Sequence, residues 1–368
     1  MSKHVHFSGP TTTTHQPTTI HLLGQSQPTT RRLSPACQQI VSETFTDTTA
    51  NLTIRSCLAD SALYPIITGH KCNHVPLVPS SLHADMAMTA AEYIWTVLHP
   101  KTEVPGIDVQ HMEVLKPFIA QLPQEGEGQW IEMVVSGDLP VATMSAEAVG
   151  GTITCTFHSV HADGSADKMA HRASCTVRYE DKASWKKEWS RYTHMVQNSI
   201  SMLRDRATNG GAHIMQSGLA YKVFESFVTY DQQYRGMNEV VFDGLEGTAT
   251  ITFKTKPGDY TTSIHMDNSC HLSGFLCNAL DAEDGQDSVY VSEGWEGMKC
   301  FDLDFLRKPQ MVGTKMVSYV RMQAQGKDVL CGDVYTFLDG EVAIVWEGIK
   351  FKRVPRRVVN IFLPPPKH

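Results

Sequence analysis

The chain has 368 residues, too many for one ordinary hydrophobic core, so about two domain-sized units are expected. Apolar residues make up 41% and charged residues 19%, a globular composition that excludes a mainly disordered chain. The 32 Lys and Arg residues against 39 Asp and Glu residues give a net charge of −7, which argues against nucleic acid as the main partner.

The nine cysteines are dispersed, odd in number and without a C-x-x-C pair. This pattern favours a reduced, cytoplasmic protein over a disulfide framework, and it argues against a zinc site. The N-terminal residues have no apolar region of the secretory type. Since no window approaches the roughly 18 apolar residues that span a bilayer, no membrane partner is predicted.

The first half of the chain is rich in predicted strands. Residues 1–16 form a predicted flexible leader, and residues 17–208 form the predicted N-terminal unit. A short helix is predicted at Ser34–Phe45. Alternating apolar residues and turn signals predict the strands Thr18–Leu23, Asn51–Cys57, Ile107–Ala120, Gln129–Ser136, Ala142–Val149, Thr152–His161 and Lys168–Tyr179.

Between these strands lies the stretch Gly69–Tyr93, GHKCNHVPLVPSSLHADMAMTAAEY. Pro76 and Pro79 exclude a helix at its start, where His70 lies. The following small and apolar residues favour a buried helix. His70 is therefore expected on fixed, irregular chain just ahead of that helix, with its side chain able to face a cavity.

A charged helix is predicted at Ala183–Arg206, packed on the outside of the domain, and residues 209–211 mark a candidate domain boundary. Residues 209–355 form the predicted C-terminal unit, which starts with a helical piece at Gly218–Val228. A second buried helix is predicted from Asn268 onwards. Strands are predicted at Glu239–Phe242, Thr248–Lys254, Val289–Val291, Met311–Gln323, Asp328–Phe337 and Val342–Phe351.

Residues 356–368 are expected to form a linker-like tail, as in a piece of a longer protein. Each half thus combines one buried helix with many strands, an α+β pattern. A sheet wrapped round one helix is the hot-dog arrangement, so the predicted fold is a double hot dog.

His70 and Asp267 stand at the heads of the two predicted buried helices and could face each other across the unit interface. An imidazole and a carboxylate there would form a general acid/base pair. Asp267 could equally be a helix N-cap, and His271, one turn later, could hold it in place. A metal pair of His70 with His74 would need helix, so no metal site is predicted.

The stretch around His70 resembles the signature of product template domains from fungal non-reducing polyketide synthases, approximately G-H-x-V-N-G-x-x-L-C-P-S-S-x-x-A-D-M-A-x-T. The segment MDNSCHLSGFLCN, which contains Asp267, resembles their W-L-D-S-x-x-H-L-x-G-F-x-x-N block. Three residues depart from the pattern: His74 replaces a glycine, Cys72 a valine and Val78 a cysteine. The glycine change places a polar group beside the loop or requires an unusual backbone dihedral.

The resemblance implies a double hot dog that directs aldol cyclisation and aromatisation of a poly-β-ketone. The substrate would be tethered through phosphopantetheine to an acyl carrier protein of the same synthase, with no cofactor bound by the domain and a homodimer expected. His70 would be the general base and Asp267 would orient it. Substrate-binding candidates by position are Asn73, His74, His271, Asn278 and Trp295.

Two other functions remain open. One is a dehydratase that uses the same His and Asp to remove water from β-hydroxyacyl thioesters. The other is a non-catalytic module that holds the polyketide chain.

Overall fold

The computed structural model describes residues 31–46, 48–121, 128–139, 150–279, 287–308 and 314–365, without the side chains of 166–170 and 279. The predicted leader (1–16) and the predicted strands at Thr18–Leu23 and Ala142–Val149 lie outside the described residues.

In the first half, each predicted strand that lies within the described residues forms. The strands are β1 Gln39–Phe45, β2 Thr49–Cys57, β3 His70–Cys72, β4 Val75–Pro76, β5 Gly106–Val114, β6 Trp130–Asp138, β7 Thr152–Val160 and β8 Ala166–Glu180. The helices are α1 Tyr64–Thr68, α2 Ser80–Leu98, α3 Lys182–Trp189 and α4 Thr193–Thr208.

The second half also combines many strands with a few helices. Its strands are β9 His213–Gln216, β10 Val228–Tyr230, β11 Met237–Asp243, β12 Glu246–Ile251, β13 Ser288–Trp295, β14 Gly297–Cys300, β15 Met316–Arg321, β16 Gln323–Ala324, β17 Val329–Leu338 and β18 Glu341–Pro355. Its helices are α5 Ser217–Phe224, α6 Thr262–Ala279, α7 Asp304–Arg307 and α8 Arg356–Phe362, with a 3₁₀ turn at Gln232–Tyr234.

The two halves share one antiparallel sheet. Its strand order is β1-β2-β6-β7-β8-β5-β13-β18-β17-β15-β12-β11-β9. The junction is formed by β5, which pairs with β13 and β14 of the other half, so that Met112 faces Trp295 and Asp108 faces Lys299. A separate small sheet, β10-β3-β4, holds the chain at His70.

Each half of the sheet covers one long helix, α2 in the first and α6 in the second. From Ser81 to Ile94 nearly every residue of α2 is buried, which its many alanines and small residues allow, and α6 is buried along most of its described length. The two helices meet near their N-termini, where the hydroxyl oxygens of Ser81 and Ser263 are 3.0 Å apart. This is the α+β double hot dog that the sequence predicts.

Several element predictions were wrong in detail. Ser34–Phe45 is not a helix, because Gln39–Phe45 pairs with β2 as an edge strand. The buried helix α6 begins at Thr262 and not at Asn268, so Asp267 lies inside it and is not its N-cap. The expected linker-like tail contains the helix Arg356–Phe362.

The predicted helix Ala183–Arg206 is divided into α3 and α4. Both pack on the outer face of the sheet, and α3 also contacts Gly106 of β5 in the first half. Trp185 of α3 clusters with Val345, and Arg204 of α4 forms an ion pair with Glu239 at 2.9 Å. The predicted domain boundary after residue 208 follows the end of α4, and it stays a prediction.

Candidate active site

His70 is fixed by backbone contacts on both sides. It follows Gly69, whose missing Cβ leaves room for the Pro65 carbonyl oxygen, which would lie only 2.9 Å from a Cβ there. The next residues form β3, in which His70 pairs with Tyr230 of β10. The Gly69 carbonyl also accepts a hydrogen bond from Asp231 at 2.9 Å. Residues from the second half of the chain therefore hold the histidine of the first half.

The imidazole of His70 and the carboxylate of Asp267 line the same cavity, which has a volume of about 240 Å³. Along α6 the lining residues share one helix face from Asp267 to Asn278, so the cavity follows the helix for about 16 Å. Its other walls are mainly apolar and include Leu77, Val78, Phe224, Phe227, Tyr290, Val291, Trp346, Ile349, Phe351 and Leu363.

The surroundings of His70 favour the neutral form of its imidazole, which is the form that can accept a proton. Burial lowers the pKa of His70, the charge of Asp267 opposes this effect, and His271 adds to the lowering. Its Nδ1 is buried and has no hydrogen-bond partner among the described residues. The rings of Tyr230 and Tyr234 lie edge-on to the imidazole at centroid distances of 5.5 and 6.0 Å. A neutral imidazole in this setting can accept a proton near neutral pH.

Asp267 is held by His271 and not by His70. Its Oδ2 lies 2.5 Å from Nε2 of His271, one turn along α6. Burial raises the pKa of Asp267, but the charge and hydrogen bond of His271, together with His70, outweigh burial and leave the pKa below its ordinary value. The carboxylate is therefore ionised beside His70, and no hydrogen bond joins the two among the described side chains.

Two predicted substrate-binding residues do not line the cavity. The Asn73 side chain donates hydrogen bonds to Asn360 Oδ1 at 2.9 Å and to the Leu363 carbonyl at 2.7 Å. His74 is exposed and has a φ of +66°. This left-handed backbone is the conformation that favours glycine, which explains the family pattern at this position.

The three other predicted residues line the cavity, but their polar groups are engaged elsewhere. Asn278 donates to the carbonyls of Gly274 and Tyr290 and accepts from the Tyr290 amide. The Trp295 indole donates to the Val109 carbonyl at 3.0 Å. His271 is occupied by Asp267 and by the Tyr221 hydroxyl, which lies 3.3 Å from its Nδ1.

Cysteine chemistry is disfavoured at this site. Cys72 and Cys270 line the cavity, but burial and the Asp267 charge raise the pKa of Cys72 to about 12 and that of Cys270 well above its ordinary value. Both thiols are thus protonated and poorly nucleophilic. Among the described residues, no group of three or more His, Cys, Asp or Glu side chains is placed to hold a metal ion.

The N-terminus of α2 also opens on the cavity. Ser80 and Ser81 line it, and Pro79 precedes them as N-cap without a side-chain hydrogen bond. First-turn amides of a helix have no acceptor within the helix. The amides of Ser80 and Ser81 therefore have no acceptor within α2, and sequence reasoning did not point to these two residues.

Sequence reasoning also missed the aromatic segment between α5 and β11. Tyr221, Tyr230 and Tyr234 surround His271 and His70, and Phe224 and Phe227 form cavity wall. The only sequence feature that points to these residues is the high density of aromatic residues at 221–234, which is equally typical of an ordinary hydrophobic core.

Curated relatives match most of this chain. It is 48% identical over 342 residues to the non-reducing polyketide synthase PKS1 of Zymoseptoria tritici, covering 92% of the chain. It is 39% identical to the non-reducing polyketide synthase Preu8 of Preussia isomera over 90% of the chain. The identity to the conidial pigment polyketide synthase alb1 of Aspergillus fumigatus is 36% over 92%. The chain spans 15% of the length of each relative.

Solved structures agree on the fold. The dehydratase domain from the CurJ module of curacin polyketide synthase matches with a TM-score of 0.62 at 11% identity, covering 89% of this chain and 99% of that domain. The corresponding CurF domain matches with a TM-score of 0.59 at 12% identity, covering 87% of this chain and 99% of that domain. No family model matches the chain.

Among the described residues, no helix is long and apolar enough to cross a membrane.

The sequence matches and the fold together confirm the resemblance described above. The chain belongs to the dehydratase-like double hot-dog domains of fungal non-reducing polyketide synthases, the family of their product template domains.

Proposed function

We propose that this domain directs the regioselective aldol cyclisation of a poly-β-ketoacyl chain and its aromatisation by loss of water. The chain would be carried on the phosphopantetheine arm of an acyl carrier protein of the same synthase, and the domain itself would bind no cofactor. One observation supports this most: His70 and Asp267, from opposite halves of the sequence, line a single, mainly apolar cavity.

In this proposal His70 is the general base. It removes a proton from a methylene group between two carbonyls, which is acidic enough for a neutral imidazole. The resulting enolate carbon forms a bond to another carbonyl carbon of the same chain, and the new alkoxide takes up a proton. Elimination of water, followed by enolisation of the ketones left in the ring, then yields the aromatic ring. Ionised Asp267 stabilises the imidazolium form of His70 through its charge.

The first turn of α2 is proposed to stabilise the developing negative charge. Uncapped amides at Ser80 and Ser81 can donate to the enolate or alkoxide oxygen. The remaining wall is mainly apolar and orients the flexible chain by shape. Since orientation of reacting groups can supply several kcal/mol of barrier lowering, about 7 kcal/mol or more in favourable cases, a shaped wall suits a reaction that selects one ring closure.

A dehydratase acting on β-hydroxyacyl thioesters is the main alternative, and the fold is compatible with it. The two functions differ in product. The domain should be incubated separately with a poly-β-ketoacyl carrier protein and with a β-hydroxyacyl carrier protein, and the products analysed by mass spectrometry. An aromatic product from the first supports the proposal, whereas reaction of the second alone refutes it.

A homodimer is a further part of the proposal. Light scattering at micromolar concentration should give about twice the 40.9 kDa of one chain. A monomer mass alone at that concentration would contradict this part and leave the proposed chemistry untouched.

A further inference from the structure

Tyr221 lies behind the Asp267–His271 pair at the closed side of the site. It is 1% exposed, it comes from α5, and it does not line the cavity. Its hydroxyl oxygen lies 3.3 Å from Nδ1 of His271. The hydroxyl therefore contacts the ring nitrogen of His271 that points away from Asp267.

The hydroxyl of Tyr221 has two further partners, both in the backbone. It accepts a hydrogen bond from the Met237 amide at 3.0 Å and donates to the Tyr234 carbonyl at 3.2 Å. A tyrosine hydroxyl has one proton to donate. If that proton goes to the carbonyl, the oxygen still has one lone pair free, and Nδ1 of His271 must then be the donor.

The other nitrogen of His271 faces a carboxylate. Asp267 is ionised and can only accept, so Nε2 of His271 donates across the 2.5 Å contact. With both nitrogens donating, each contact in the series from Asp267 through His271 and Tyr221 to Tyr234 joins one donor to one acceptor. This arrangement requires His271 to be doubly protonated.

From these contacts we propose that Tyr221 is a positioning residue that holds His271 as an imidazolium, and thereby keeps Asp267 ionised and fixed in orientation. The inference rests on the proposed function of Asp267. Tyr221 does not line the cavity, so it acts on the site through His271.

The other titratable groups around His271 are mostly uncharged. On its own helix these are Asp267 and Cys270, on β3 His70 and Cys72, on β10 Tyr230, and in the 3₁₀ turn Tyr234. Arg235 lies over the Tyr221 ring at 5.9 Å. Asp267 is the one carboxylate in contact with the His271 ring among the described residues, so the imidazolium has a single counter-ion.

The matched variants are Tyr221→Phe and Tyr179→Phe. Phenylalanine at 221 keeps the ring that packs against Phe224 and Tyr230. Tyr179 is also 1% exposed and its hydroxyl also donates to a backbone carbonyl, that of Ala91 at 2.8 Å, but it lies in the first half of the sheet. The control therefore removes a buried hydroxyl of the same kind away from His271.

The first experiment is ¹⁵N NMR of histidine-labelled protein across a pH titration, without substrate. Wild type and Tyr179→Phe should show His271 with both nitrogens protonated at neutral pH, and Tyr221→Phe should show an unprotonated Nδ1. An unprotonated Nδ1 in wild type, or identical His271 signals in wild type and Tyr221→Phe, would overturn the proposal. Because no turnover is measured, the outcome does not depend on the cyclisation assay.

The second experiment is the pH dependence of kcat. Loss of the His271 charge raises the pKa of Asp267 and of His70, since His271 lowers both. The acid limb of the profile should move to higher pH in Tyr221→Phe, with a roughly tenfold fall in kcat at pH 6 and an unchanged KM. An unshifted limb with a fall in stability alone would show a merely structural role and refute the proposal.

Discussion

Asp267 and His271 form a hydrogen bond of 2.5 Å between Oδ2 and Nε2, one turn apart on α6. This contact leaves His70 without a hydrogen bond to Asp267 among the described side chains, although the two residues line one cavity. The carboxylate is oriented from its own helix, and it acts on His70 through its charge.

Asp267→Asn tests this electrostatic role. Asparagine keeps the shape of the side chain but loses the charge that raises the pKa of His70 and stabilises its protonated form. We expect kcat to fall by roughly 10²-fold with little change in KM. Steady-state kinetics of Asp267→Asn beside Asp243→Asn, a surface control paired with Arg206, would check this. Equal rates in both variants would contradict it.

His83 on α2 should make stability depend on pH. It is 2% exposed against the ring of Phe157 at 4.6 Å, and burial lowers its pKa to about 4. Because the unfolded chain binds the proton near pH 6.5 and the folded chain only near pH 4, stability is lost as pH falls through this window and is regained as pH rises. The loss should reach roughly 3 kcal/mol at pH 4.

The measurement for His83 is urea unfolding of wild type and His83→Leu at several values between pH 7 and pH 4. The leucine variant should lose less stability across the window than wild type. Parallel curves for the two proteins would show that other groups cause the pH dependence.

His74→Gly should relieve backbone strain without changing activity. The residue has a φ of +66°, a region that costs side-chain-bearing residues about 1 kcal/mol. Its side chain is exposed and outside the cavity. We expect equal kcat and KM, and a midpoint of thermal unfolding that is unchanged or raised. His74→Val is the contrasting variant and should lower that midpoint, because a β-branched residue adopts this conformation poorly. Altered product regiochemistry in His74→Gly would refute the assignment of a backbone role.

Gly274→Leu should narrow the cavity at mid-length. Gly274 lies on the lining face of α6, and a Cβ there would be 3.4 Å from the Phe351 ring and 3.7 Å from the Phe224 ring. A longer side chain must displace these rings or extend into the cavity. We expect turnover of long chains to fall more than turnover of short ones. Gly218→Leu on α5 is the control, because nothing lies within 4 Å of its Cβ position. An equal fall for all chain lengths would contradict a role in substrate size.

The sequence predicts the parts of this site that depend on local pattern. Asp267 and His271 are four residues apart, so a helix alone brings them together. The position of His70 on irregular chain follows from Pro76 and Pro79 and from the helix of small residues that comes after them. Pairing of equivalent helices in two similar halves predicts that His70 and Asp267 could face each other, and the structure places both at one cavity.

The differences between the predicted and the observed structure come from contacts between residues that are distant in sequence. Asn73 was predicted to contact substrate, but its side chain binds Asn360 and Leu363, nearly 290 positions away. Gln39–Phe45 was predicted as helix, and pairing with β2 makes it a strand. No local pattern shows that the Tyr221 hydroxyl reaches His271, because that contact depends on how α5 packs on α6.

The most direct measurement is the product formed from a poly-β-ketoacyl carrier protein by wild type and by His70→Ala. With His70 as the base, wild type should give one aromatic regioisomer, and the variant should give the mixture that forms spontaneously. Thermal unfolding should confirm that the variant is folded. The same single regioisomer at the same rate from His70→Ala would contradict the catalytic role and leave the domain as a module that only holds the chain.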